Sequence, residues 1–115
     1  MSEERDYRLF LEDIIDAIKK IERYTEGLSS DEFRESEITI DATVRNLEII
    51  GEAANKIPKD IKSKYPKVEW KEAVGFRNVL IHDYFGVDTD AVWDTIQNNL
   101  PVFKKHVKEV LDGEN

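Results

Sequence analysis

Tyr7, Phe10, Leu11, Ile14, Ala17, Ile18 and Ile21 recur at intervals of one, three and four residues. Only a helix gathers such positions into one stripe, because 3.6 residues complete a turn; in a strand they would scatter over both faces. The same period governs Ala42, Leu47, Ile50, Ala54 and Ile57, and later Val92, Trp93, Ile96, Leu100, Phe103, Val107 and Val110. No segment alternates with period two, so strands are not expected. Apolar stripes of this kind have to cover one another. The predicted fold class is all-α, an up-and-down bundle of four main helices plus short ones.

Capping and breaking residues divide the pattern. A first helix over residues 4 to 26 should close at Gly27, a natural C-cap. "SSDEF" opens a short helix, with Ser29 and Glu32 at capping-box spacing. A second long helix is predicted from Asp41 to Lys56. Pro58 ends it and is placed to open a short helix over "KDIKSKY", and Pro66 breaks the chain again. A third main helix should run from Trp70 to His82, with "DYFG" stopping it at Gly86. Asp88 or Thr89 then caps the last helix, which Pro101 should kink or divide by removing a donor and clashing with the preceding turn. With 115 residues and no repeat, low-complexity tract or linker, the expectation is a single domain over 1–115.

Composition narrows the function classes. The chain has no cysteine, which excludes a disulfide framework and a thiolate metal site, and fits a reducing cytoplasm. No apolar run approaches the roughly 20 residues of a membrane span, and "MSEERDYR" is unlike a signal peptide. A soluble cytoplasmic protein with no membrane partner is expected. A net charge of −8 argues against nonspecific nucleic-acid binding, which depends on neutralising phosphates. The charge is uneven, however. Residues 1 to 37 hold 12 acids against 6 Lys or Arg, whereas residues 56 to 77 hold 7 Lys or Arg against 3 acids. That basic stretch is either a solvated surface or a small, directed RNA contact.

It leads into "RNVLIHDYFG", residues 77 to 86. There Arg77, Asn78, His82, Asp83 and Tyr84 surround the apolar triplet Val79, Leu80 and Ile81. Other candidates have simpler explanations. "DTD" at 88 to 90 resembles a metal-binding Asp pair, but it precedes a helix with no strand to hold it, so an N-cap explains it. His106 has Glu109 three residues on, yet two histidines in the whole chain do not make an ordinary metal site. Trp70 and Trp93 read as core anchors.

On an ideal helix Arg77 and His82 lie about 140° apart. One helix therefore keeps them separate, unless it unwinds near His82 or a second copy of the chain supplies the missing partner. The pair suits RNA cleavage. Histidine titrates near neutral pH and can move a proton from a ribose 2′-OH or to the leaving oxygen. Arginine offers a charged fork to the phosphorane. No metal or other cofactor is needed. On the residues alone a solvated helix terminus remains the simpler reading.

Longer stretches carry a resemblance. "LEIIGEAANKIP" at 47 to 58, "YPKVEWKEAVGFRNVLIHDYFGVD" at 65 to 88 and "VWDTIQNNLP" at 92 to 101 resemble HEPN-domain proteins of the HepT-like group, formerly a domain of unknown function. The likeness covers nearly the whole chain. Its most specific part is the pattern Arg, four residues, His, any residue, Tyr, met here by Arg77, His82 and Tyr84, with Asn78 completing the Arg-Asn pair.

The resemblance implies a HEPN-like helical bundle and a metal-independent RNase toxin acting on RNA as a homodimer. Arg77 and His82 of both subunits would then face each other across the interface. It also implies a cognate minimal nucleotidyltransferase antitoxin that transfers AMP from ATP to the tyrosine, here Tyr84. In that assignment His82 is the general acid/base, Arg77 stabilises the phosphorane and Asn78 binds or orients the phosphate. Asp83 either tunes His82 or faces solvent. Glu52, a polar residue on a mostly apolar helix, either faces the cleft or pairs with a neighbouring lysine. The alternative function is a non-catalytic helical module that binds nucleotide or supports a nucleotidyltransferase partner.

Overall fold

The computed structural model describes residues 6–76 and 88–114, which are helical with no strand among them. Helix α1 spans Tyr7–Thr25. The Asp6 carboxylate caps it by accepting from the Arg8 amide at 3.0 Å, and Gly27 lies just past its end at φ +78°, the left-handed turn anticipated there. Helix α2, Ser30–Glu35, starts with the expected capping box. The Glu32 amide donates to Ser29 Oγ at 3.1 Å, and the Ser29 amide donates to Glu32 Oε1 at 2.9 Å.

Helix α3, Glu37–Asn55, begins four residues before the sequence-based boundary of Asp41. Ser36 is the reason: its hydroxyl accepts from the Thr39 amide and caps the first turn. Leu47, Ile50, Ala54 and Ile57 are buried as anticipated, while Ala42 is only half-buried. Thr43 and Asn46 take inward positions instead. Asn46 satisfies its amide by donating to the Ala42 carbonyl at 2.9 Å. Thr43 Oγ1 has no hydrogen-bond partner among the described residues.

Pro58 precedes α4, Lys59–Lys64. Helix α5 covers Trp70–Val74, where Gly75 closes it by donating its amide to the Ala73 and Lys71 carbonyls. The helix expected to continue from Trp70 to His82 is thus interrupted at Gly75, although Phe76 is again helical. The rest of that predicted helix, from Arg77 on, lies outside the described residues.

Helix α6, Thr89–Asp94, is capped by Asp88, whose Oδ1 accepts from the Ala91 amide at 3.0 Å. That supports the capping reading of "DTD" over the metal reading. A π turn then occupies Thr95–Asn99, and α7 runs Leu100–Gly113 with Pro101 in its first turn. Pro101 therefore divides the last helix, as anticipated. In an unbroken α-helix its ring would press on the carbonyl four residues back and leave that carbonyl without a donor. The π turn shifts the register, and the Leu100 amide donates to the Thr95 carbonyl instead.

Helix α1 packs along α3, α7 packs against α1, and α5 packs against α3. Leu11, Ile14, Ile18, Ile21, Leu47, Ile50, Phe103, Val107 and Val110 are almost wholly buried among these elements. Each large side chain so buried contributes about 1.5–3 kcal/mol. The short α2 reaches α6 through Phe33, whose ring lies 5.1 Å from that of half-buried Trp93. Trp70 is buried as expected and donates its indole N–H to the Tyr65 carbonyl at 3.1 Å. Among the described residues, no helix is long and apolar enough to cross a membrane.

Candidate active site

Arg77, Asn78, His82, Asp83 and Tyr84 lie outside the described residues. The structure does describe what stands on either side of them. Before Arg77, Phe76 is buried, its ring 6.2 Å from Phe103 at 81°, an edge-on contact that holds the end of α5 against α7. On the far side Asp88 is committed to capping α6. The eleven residues between are therefore joined to the folded body by a core aromatic and by a capped helix.

Helix α5 is itself fixed from behind. Gly51 of α3 faces the Ala73 and Val74 carbonyls so closely that a Cβ there would lie 3.2 and 3.3 Å from them. Glu52, the next residue, is exposed. Among the described residues it forms no ion pair with a lysine, so the simpler of its two sequence readings is not realised. Lys56, one turn further on, places its ammonium 5.7 Å from the centre of the Phe10 ring instead.

Two adjoining hollows border this region. One, of about 180 Å³, is lined by Glu69, Glu72, Phe76, Asn98, Asn99, Val102 and Phe103. The other, about 400 Å³ and open, runs past Lys62, Ser63, Pro66, Trp70 and Lys71 and shares Glu69 and Glu72 with the first. Burial pushes the Lys62 ammonium below its usual range, and Lys59 nearby adds to the effect. The sequence alone singled out neither Glu72 nor Asn99. The available signal was "NNLP", two amides just before the proline that forces the π turn.

His106 does not pair with Glu109. Its Nδ1 lies 3.0 Å from Glu69 Oε1, tying α7 to the start of α5. No group of three or more His, Asp or Glu among the described residues is arranged to hold a metal ion. Tyr7 and Tyr65 both donate their hydroxyls to Glu114, at 2.6 and 2.5 Å. Tyr24 is exposed at the surface.

Comparison with known proteins places the chain in one family. Residues 14–110 match the family described as Ribonuclease HepT-like. A Methanocaldococcus jannaschii protein named "Putative RNase MJ1216" is 43% identical over 107 residues, covering 93% of this chain and 88% of the relative. "Putative RNase TTE0752" of Caldanaerobacter subterraneus is 41% identical over 107 residues, 93% of this chain and 96% of its own. "Probable ribonuclease HepT" of Thermococcus cleftensis is 41% identical over 100 residues, 87% and 91% of the two chains. No solved structure matches. With the family pattern spanning 97 of the 115 residues, the chain belongs to the Ribonuclease HepT-like family.

Proposed function

We propose that this protein is a metal-independent endoribonuclease toxin, acting on tRNA or mRNA as a homodimer. The observation that carries the reading is the Arg77, His82, Tyr84 pattern, which falls inside the 14–110 span matched by a ribonuclease family. The anchoring of Phe76 and Asp88 supports it, because a catalytic segment needs fixed ends to hold its groups in register.

In the proposed reaction a ribose 2′-oxygen attacks the adjacent phosphorus and the P–O5′ bond breaks. One imidazole takes the 2′-OH proton and a proton is delivered to the departing 5′-oxygen. The His82 rings of two subunits suit this division of labour, and the separation of about 140° on one helix is then no obstacle. Arg77 stabilises the charge on the phosphorane, and Asn78 orients the phosphate. Asp83 and Glu52 are supporting residues at most. The chain forms one cytoplasmic domain in this proposal, and a cognate nucleotidyltransferase silences it by moving AMP from ATP to Tyr84. The whole would be a type VII-like toxin–antitoxin pair.

The test is incubation of the purified protein with total tRNA in EDTA, followed by end-group analysis. Fragments ending in 2′,3′-cyclic phosphate and 5′-hydroxyl are the expected outcome. Intact RNA, with the protein folded and unmodified by mass, would favour the non-catalytic module.

A further inference from the structure

Three apolar and four polar side chains meet in the smaller hollow. Phe76, Phe103 and Val102 form its apolar part, and Val102 is 45% exposed although most of its helix neighbours at core spacing are buried. Its polar part is Glu69, Glu72, Asn98 and Asn99. Two of these are already engaged: Glu69 meets His106, and Asn98 donates to Asp94 Oδ1 at 2.6 Å. The side chains of Glu72 and Asn99 make no hydrogen bond among the described residues. Asn99 is brought to the cleft by the π turn, a local widening that recurs at functional sites. The cleft begins at Phe76, the residue before Arg77.

Volume and charge select the occupant. About 180 Å³ corresponds to roughly six water molecules, room for one planar base and not for a whole nucleotide. Two carboxylates at the wall would repel a phosphate there; the neighbouring hollow shares both of them but adds Lys62 and Lys71 to offset their charge. Single-stranded RNA is read by bases turned out of the stack and hydrogen-bonded on their Watson–Crick edges. Guanine presents two adjacent donors, N1–H and the N2 amino group, which match one carboxylate, while its O6 accepts from an amide. Uracil places carbonyl oxygens on both sides of its single donor and so opposes a carboxylate.

We propose that this cleft is a guanine-recognition subsite of the RNA substrate, with Glu72 accepting from N1–H and N2–H and Asn99 donating to O6. The inference rests on the ribonuclease reading and adds a base preference to it. The RNA backbone next to that base passes the Lys62 and Lys71 side of the adjoining hollow.

The test compares oligonucleotides that differ at one position beside the cut: guanine, inosine (which lacks only the N2 amino group) or uracil. Wild-type protein should cleave the guanine substrate about tenfold or more faster in kcat/KM than the inosine one, with uracil no better than inosine. Glu72→Gln should bring the guanine-to-inosine ratio close to one while still cutting the inosine substrate, and Asn99→Ala should weaken the preference for both purines over uracil. Equal cleavage of all three by wild type, or a Glu72→Gln loss that is the same for every substrate, would overturn the subsite. Binding of the same oligonucleotides to folded His82→Ala protein, read by fluorescence anisotropy, keeps the two questions apart. A guanine preference there upholds the subsite even if wild type cuts nothing, and no preference there overturns it.

Discussion

Gly51 of α3 and Ala73 of α5 meet so closely that the position a Gly51 Cβ would take is only 3.2 Å from the Ala73 carbonyl oxygen. A hydrogen is the only substituent that this approach accepts without a shift. The contact sets how near α5 lies to α3, and the chain passes from α5 through Gly75 straight into Phe76 and Arg77. Gly51→Val should therefore cost about 1–3 kcal/mol, since the added side chain must push the helices apart. Urea denaturation measures that loss. RNA cleavage at a temperature where the variant is folded should fall as well, because the segment after α5 is displaced with it.

Thr43 is fully buried and its hydroxyl has no partner among the described residues. A valine has the same shape without the polar atom, so Thr43→Val should raise stability by about 1 kcal/mol or more. An unchanged or lower urea midpoint would show that the hydroxyl is satisfied in solution.

The Glu114 side chain is 10% exposed and collects Lys64 Nζ at 2.7 Å, with the hydroxyls of Tyr65 and Tyr7. Hydrogen bonds from Lys64, Tyr65 and Tyr7 hold its carboxyl down at about 2. A depressed acid contributes stability that is present above the unfolded value, near 4.3, and is lost as pH falls toward 2. Wild type should thus exceed Glu114→Gln in urea midpoint from about pH 5 upward, with the two curves converging as pH drops from there to about 2. A constant gap across that range would mean that the carboxylate's charge plays no part.

His82→Ala and Arg77→Ala should each reduce RNA cleavage about a hundredfold or more, the scale of losing an acid/base group or a charge-stabilising donor. Circular dichroism should show unchanged helicity. Mixing either variant with wild type should lower activity per wild-type chain if the site is shared between subunits. Full activity in folded His82→Ala would sink the catalytic assignment.

Tyr84→Phe should retain cleavage, because the hydroxyl moves no proton in the proposed reaction. Co-expression with a cognate nucleotidyltransferase and ATP should add AMP mass to wild type and stop cleavage, leaving the phenylalanine variant active. An AMP phosphodiester brings about one negative charge near a site for RNA phosphates, a repulsion on the order of 1–3 kcal/mol before any steric block. Silencing of the variant through modification elsewhere would remove Tyr84 from this role.

The local sequence signals were good guides to helix ends. Ser29 with Glu32, Gly27, Asp88 and Pro101 each act within one turn of themselves, and each sits as its chemistry suggested. The errors came where two signals competed. Ser36 caps α3 earlier than Asp41 suggested, since a β-branched start over "EITI" hid the cap. Gly75 closes α5 inside what read as a continuous apolar pattern. As for the site, the residues of the family motif were legible in one short run, whereas Glu72 and Asn99 gave almost no signal, being 27 positions apart and joined only by packing.

By itself the sequence determined the all-α class, the long helices α1, α3 and α7, and the Arg77, His82, Tyr84 pattern, because helical period, caps and short motifs depend on residues within a few positions of each other. Only the tertiary structure decided that Gly51 admits α5, that Glu114 gathers Tyr7, Lys64 and Tyr65, and that α5 and the π turn enclose a cleft beside Phe76. Each of these joins residues far apart in the chain, up to the 107 positions between Tyr7 and Glu114. Such meetings arise from how amphipathic helices cross, and helix crossing is set by the summed packing of whole faces, which no local run of residues encodes.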